Sequence, residues 1–277
     1  MDKSYCSFSQ LPFSNLFSTY INDYQKLDSF FTGNPFDESD VKNRISRIPD
    51  YSNRYKVVEA FSSYHAKLGI TESQKSQLSK FADKETLAVV TGQQLGIYGG
   101  PLYTIYKTIT TILLARSWEE KLQKPVVPVF WLADEDHDFE EIAAIGIPGN
   151  TKKQVAKLDE DGAGIPVSEE RISTSFDSFN SDLKELLHET DFSSDLWDEL
   201  NGCYQTGVTH AAAFAKLMCT WFSKHGLLIA GSNDKGIKQL LKNTFKTSVK
   251  ETKKIHQKLE TQSSKLETEF HRQVVVG

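Results

Sequence analysis

Between Leu87 and Leu132 the spacing of apolar positions changes twice. Leu87-Ala88-Val89-Val90-Thr91 is a short apolar run followed by turn residues, which predicts a strand buried on both faces. Gly92 to Gly100 is punctuated by glycine and predicts a loop. Pro101 suits the first turn of a helix, and from there Ile105, Ile109, Ile112, Leu113 and Trp118 keep helical spacing to about Leu122. Pro125 to Leu132 (PVVPVFWL) is a second continuous apolar run and a second buried strand. Strand, helix and strand in this order predict a right-handed βαβ unit in a parallel, doubly wound sheet.

The flanking segments follow from the same patterns. Residues 1–85 read as a polar helical segment: Phe17, Tyr20, Ile21 and Tyr24 keep helical spacing, Asn34-Pro35 interrupts, and a second helix runs from about Asn53 to Leu68 and stops at Gly69. Thr71 and Gln74 form a candidate capping box. Residues 86–141 hold the first part of the α/β core. Residues 142–205 read as an inserted connecting segment, with turns at Pro148-Gly149-Asn150 and Asp161-Gly162-Ala163-Gly164 and helices near 177–188 and 193–205. Residues 206–234 return to the core, with Thr209 capping a helix, Gly226 closing it, and Leu227-Leu228-Ile229-Ala230 as a strand. Residues 235–272 form one long helix whose Ile237, Leu241, Phe245, Val249, Ile255, Leu259, Leu266 and Phe270 lie close to heptad spacing. Residues 273–277 read as the start of a further strand, so the expectation is an N-terminal portion of a longer protein.

Composition narrows the function. The chain has 277 residues and a net charge of −5, which leaves no general electrostatic footprint for nucleic acid; the lysines of the long helix read as a solvated face. Met1 to Phe17 lacks a signal-peptide pattern, and no apolar window approaches the ~18 residues of a membrane span. Cys6, Cys203 and Cys219 are odd in number and scattered, which argues for a reducing cytoplasm and against a zinc site.

Two constellations carry candidate chemistry. The first is Thr91-Gly92-Gln93-Gln94-Leu95-Gly96-Ile97-Tyr98-Gly99-Gly100-Pro101-Leu102-Tyr103-Thr104, between a strand end and a helix start. Ligands of open α/β sheets bind beyond the carboxyl ends of the strands, and a helix N-terminus favours an anion. Thr91, Gln93, Gln94 and Thr104 add neutral donors and acceptors, and Lys107, one turn into the helix, is a candidate phosphate contact with a solvated lysine as the bland alternative. The glycine spacing is neither a P-loop nor a GxGxxG fingerprint. The bland alternative is a structural glycine loop. The second constellation, Trp131-Leu132-Ala133-Asp134-Glu135-Asp136-His137-Asp138-Phe139-Glu140-Glu141, places six acids in eight residues directly after a strand. Crowding is expected to raise some of their pKa values and to suit acid/base work, an amine or a cation, with His137 as proton carrier. The bland alternative is an acidic first helical turn. The other histidines, His65, His188, His210, His225, His256 and His271, read as surface or core.

TGQQLGIYGGPLYTIYK followed by PVVPVFWLADEDHDFEEI resembles the BshC proteins of bacillithiol biosynthesis, regarded as cysteine-adding ligases. Weaker similarity continues through AFAKLMCTWFSKHGLLI and the long helix. The resemblance implies a Rossmann-like core related to class I aminoacyl-tRNA synthetases, inserted connecting segments and a coiled coil that makes a homodimer. It implies joining of the cysteine carboxyl group to the amine of glucosaminyl-malate. ATP with Mg²⁺, or another activating donor, is the candidate that would make that carboxyl group electrophilic. On that reading Thr91, Gly92, Gln93, Gln94, Gly96, Gly99, Gly100, Tyr103, Thr104, Lys107 and Trp131 bind substrate or nucleotide. Glu135, Asp136, His137 and Asp138 are the catalytic candidates. One departure stands out: where the synthetases have a histidine motif, Tyr103-Thr104-Ile105-Tyr106-Lys107 has no histidine. Two other classes fit the residues: a metal-dependent phosphate-ester hydrolase or transferase using the acids, and a non-catalytic dimeric binding protein using the long helix.

Overall fold

The computed structural model describes residues 5–48, 53–147, 154–159 and 161–272; the expected turn at 148–150 and strand at 273–277 lie outside them. The chain divides into two compact units, residues 1–50 with 243–277, and residues 51–242.

In the first unit, α1 (Asn15–Asn22) starts where the Ser14 hydroxyl accepts from the Phe17 N–H. Tyr24, expected to continue that helix, lies instead in a 3₁₀ turn after it, and Asp37 caps α2 (Glu38–Ile45). The Tyr20 ring meets those of Tyr24, Phe31 and Phe36 at 5.4, 5.7 and 5.5 Å.

The second unit holds the sheet. Its first helices are α3 (Arg54–Ala66) and α4 (Glu72–Phe81), the latter opened by the Thr71–Gln74 capping box. Then come β1 (Leu87–Gln94), α5 (Leu102–Leu122) and β2 (Val126–Ala133). The connecting segment contributes α6 (Phe139–Ile142), an antiparallel hairpin of β3 (Ala144–Ile147) and β4 (Gln154–Lys157), α7 (Ser175–Leu186) and α8 (Ser193–Cys203). The chain returns through α9 (His210–Phe222), capped by Thr209, to β5 (Leu228–Gly231). The main sheet is parallel in the order β1-β2-β5. Side chains alternate across it. Val127, Val129, Leu228 and Ala230 pack with Phe61, Leu78 and Phe81 of α3 and α4. Phe130, Leu132 and Ile229 pack on the other side with Ile112 of α5 and Phe214 and Met218 of α9. A further cluster, including Phe176, Phe179, Leu200 and Leu217, joins the connecting segment to α9.

Three expectations change. β1 is not buried on both faces: Ala88 and Val90 are exposed, because β1 is the edge of the described sheet. α5 does not seat its largest apolar residues on the sheet. Thr104, Thr108, Thr111, Ile112 and Ala115 are buried, whereas Ile109 and Leu113 are exposed. A threonine hydroxyl can return its proton to the helix, as Thr108 Oγ1 does to the Thr104 carbonyl at 2.8 Å, so a threonine face can be buried. The long helix is two, α10 (Lys235–Lys250) and α11 (Thr252–Phe270), broken at Glu251 (φ −102°, ψ 16°). There the Thr252 hydroxyl bonds the carbonyls of Ser248 and Val249, both at 2.9 Å. The stripe residues Phe245, Val249, Ile255 and Leu259 are exposed.

Candidate active site

Parallel pairing sets Gln93 opposite Leu132 and Gln94 opposite Ala133, so both constellations leave the sheet at one carboxyl rim. Gln94 Nε2 donates to Asp136 Oδ2 at 3.1 Å and ties the two together. Beside them lies a cavity of about 430 Å³, bounded by Gln94, Gly96, Gly100, Tyr103, Glu141 and Gly146.

The glycine loop is held mostly by its own packing. A Cβ on Gly92 would stand 2.7 Å from the Trp131 carbonyl oxygen, so this glycine serves strand pairing. A Cβ on Gly96 would stand 2.7 Å from the Gly100 Cα, and Gly100 itself has φ +71°. Gly99 faces the Trp221 ring. Tyr98 takes the left-handed conformation (φ 54°), with its hydroxyl bonded to Asn180 Oδ1, and the Tyr204 hydroxyl donates to the Gly96 carbonyl at 3.2 Å. Lys107 points inward: its Nζ donates to the Gly92 carbonyl at 2.7 Å and to Gln93 Oε1 at 2.8 Å. Gln93 Nε2 then donates to the Tyr103 hydroxyl at 3.2 Å, which leaves the exposed phenol its own proton to give. Thr91 is half-buried on β1. The Trp131 side chain packs with the α3–α4 cluster, on the sheet face away from α5.

Thr104 differs from all of these. It is 0% exposed, and its Oγ1 has no hydrogen-bond partner among the described residues. It sits in the first turn of α5, whose N-cap is Pro101 and which no side chain caps. The open side of Gly100 faces this hydroxyl, 3.7 Å from where a Cβ would lie. A buried hydroxyl without a partner costs stability unless something bonds it.

Most acids of the acidic turn already have partners. Asp136 Oδ1 accepts from the N–H groups of His137 (2.7 Å) and Asp138 (3.2 Å), and Asp138 Oδ1 from that of Glu140 (3.1 Å). Glu135 pairs with Lys238 at 3.1 Å. His137 is exposed. Crowding does not set the pKa values as expected. The Asp136 carboxyl is held below its ordinary value, first by the His137 N–H and then by Gln94 and the Asp138 N–H. The Asp134 carboxyl is raised, with burial the largest cause.

Asp134 is the group that the spacing of acids did not single out. Its Oδ1 accepts from Ser232 Oγ at 2.8 Å and the Asn233 N–H at 2.7 Å, while its own N–H donates to Ser232 Oγ at 3.0 Å. Asn233 Nδ2 reaches Ser168 Oγ at 2.6 Å. The readable signal was Ser232-Asn233-Asp234 after a third parallel strand, which must emerge on the same rim. His65, read as surface or core, is core: it is buried, and Nε2 accepts from the Ile229 N–H at 2.9 Å. No group of three or more His, Cys, Asp or Glu side chains able to hold a metal ion forms among the described residues. No described helix is long and apolar enough to cross a membrane.

Residues 1–276 match the family described as Bacillithiol biosynthesis BshC, N-terminal Rossmann-like domain. The chain belongs to the BshC family. Its relatives include proteins named "Putative cysteine ligase BshC" from Salinibacter ruber (31% identical, over 86% of this chain and 44% of that protein), Halalkalibacterium halodurans (31%, 93% and 48%) and Bacillus velezensis (33%, 85% and 44%). The chain thus spans about half the length of these relatives. The parallel sheet bears out the parallel pairing read from the βαβ pattern, and the family match bears out the Rossmann-like core that the resemblance implied.

Proposed function

We propose that this chain is the N-terminal part of an amide-forming ligase that joins the carboxyl group of cysteine to the amine of glucosaminyl-malate, giving bacillithiol. The observation that carries this reading is the Thr104 hydroxyl, which has no partner among the described residues, at the uncapped positive end of α5 and behind Gly100, whose other neighbours bound the loop cavity. A carboxylate or phosphate oxygen there accepts from the Thr104 hydroxyl and from N–H groups of the first turn. Gly96, Gly99 and Gly100 keep the loop compact enough for that approach, and the Tyr103 hydroxyl donates at the mouth. Lys107 and Gln93 orient Tyr103. Glu135, Asp136 and Asp138 line the path of the sugar amine and its hydroxyls, and His137 takes the proton that the amine loses as it attacks. Holding two substrates on one rim supplies much of the rate.

ATP supplies carboxylate activation in this reading. The neutral donors around Thr104 fit its phosphates, whereas the described residues offer Mg²⁺ no three-ligand group. The relation to class I synthetases, the cytoplasmic setting, and a homodimer through the exposed stripe of α10 and α11 belong to the same proposal.

The test uses the full-length protein with cysteine, glucosaminyl-malate and ATP. Bacillithiol with ADP or AMP is expected; neither product appearing sinks the reading. Thr104→Val should raise the KM of the anionic partner about tenfold, since a hydrogen bond to a charged group contributes ~1.5–3 kcal/mol. An unchanged KM removes the anion seat.

A further inference from the structure

The glycine loop has a second side. Opposite the small cavity, Tyr98 faces a larger one of about 870 Å³ between β3, α7, α8 and α9. Ile145 bounds both spaces. One wall of the larger cavity is apolar and aromatic, formed by Tyr98, Trp197, Trp221, Leu183 and Ile145. Tyr98 reaches it only from a left-handed backbone, a conformation that costs a tyrosine energy and that the Asn180 bond holds in place.

The rim carries charges of both signs, Lys184 on one hand and Glu189 and Asp198 on the other, with the His188 imidazole beside them. None of these three charged groups takes part in an ion pair among the described residues. Lys184 Nζ instead lies 5.0 Å above the Trp197 ring. Ser193 and Ser194 of the first turn of α8 also face the cavity, and no side chain caps that helix. A simple anion would meet two carboxylates here, and a simple cation would meet a lysine and a helix N-terminus. A zwitterion satisfies both.

We propose that this cavity binds a small zwitterion with an apolar or aromatic body: a free amino acid, or a dipeptide. Its carboxylate bonds Lys184 and the start of α8, its ammonium group lies against Glu189 and Asp198, and its side chain rests on Tyr98, Trp197 and Trp221. Thr104, Gly96 and Gly100 do not line this cavity, so the site is separate from the anion seat of the ligase reading. Its occupant touches the loop that also holds Gly96 and Gly100.

The experiment is a tryptophan-fluorescence titration of the full-length protein with L-phenylalanine. The comparison ligands are 3-phenylpropionate, which lacks the ammonium group, phenethylamine, which lacks the carboxylate, and methyl β-glucoside, a neutral hydroxyl-rich ring. Phenylalanine is expected to give a saturable change and to bind about tenfold more tightly than either half-charged analogue. Lys184→Gln should remove its advantage over phenethylamine, and Asp198→Asn its advantage over phenylpropionate. Both residues are exposed, so circular dichroism should show both variants folded. Thr104→Val should leave phenylalanine binding unchanged, which separates this site from the anion seat. No saturable binding at millimolar concentration, equal affinity for a half-charged analogue, tighter binding of the glucoside, or indifference to both substitutions each overturns the proposal.

Discussion

The two lips of the sheet rim are built on opposite principles. The glycine loop carries no acid and leaves one buried hydroxyl, Thr104 Oγ1, without a partner. The acidic turn carries six acids, yet Asp134, Glu135, Asp136 and Asp138 all have partners. The lip that looks more reactive in sequence is the one most of whose acids already have partners. Residue type indicates what a group can do; partners decide whether it is available. By that standard the neutral lip is the better prepared for a ligand, and the acidic lip is partly a capping device, with Asp136 and Asp138 closing backbone N–H groups.

The largest expected effect concerns the frame beneath both lips. Burial lowers the His65 pKa to about 4. A buried neutral histidine binds fewer protons folded than unfolded between the two values. Its contribution is therefore fully present above pH 6.5 and is lost as pH falls toward 4, by roughly 3 kcal/mol. Urea unfolding from pH 7 to 4 checks this, and His65→Gln should flatten the slope. An equal slope in the variant would assign the acid sensitivity elsewhere.

Next in size is the anchor of the acidic lip. Asp134→Ala leaves the Ser232 hydroxyl and the Asn233 N–H without their acceptor and should cost about 2–3 kcal/mol by urea midpoint. A loss below about 0.5 kcal/mol would show that the β2–β5 tie is idle.

Thr104→Val inverts the usual cost of removing a polar group. With no partner to lose, stability should stay level or rise by up to about 1 kcal/mol while anion binding weakens. A clear loss of stability would mean that Thr104 is structural, and the contrast between the lips would fail. The smallest effect belongs to His137→Ala, within about 0.5 kcal/mol in stability because the side chain is exposed. Its readout is ligase turnover, and undiminished turnover removes His137 from the chemistry.

Much of this was legible in order along the chain. Continuous apolar runs at Leu87–Thr91 and Pro125–Leu132 marked parallel strands, and Thr71–Gln74, Thr209 and Gly226 marked helix boundaries that the structure keeps. These signals are local: periodicity, caps and breakers act within a few residues. Parallel topology then put both constellations on one rim without any knowledge of contacts. What sequence alone could not determine was which groups find partners. Lys107 turns inward to Gly92 and Gln93, Trp131 faces α3 and α4, Asp134 meets a turn 98 residues away, and the Thr104 hydroxyl finds no hydrogen-bond partner among the described residues. Those outcomes depend on distances between segments far apart in the chain. Only the packing of α5, β2 and β5 against one another decides them, because a hydrogen bond extends about 3 Å and carries no trace in the order of residues.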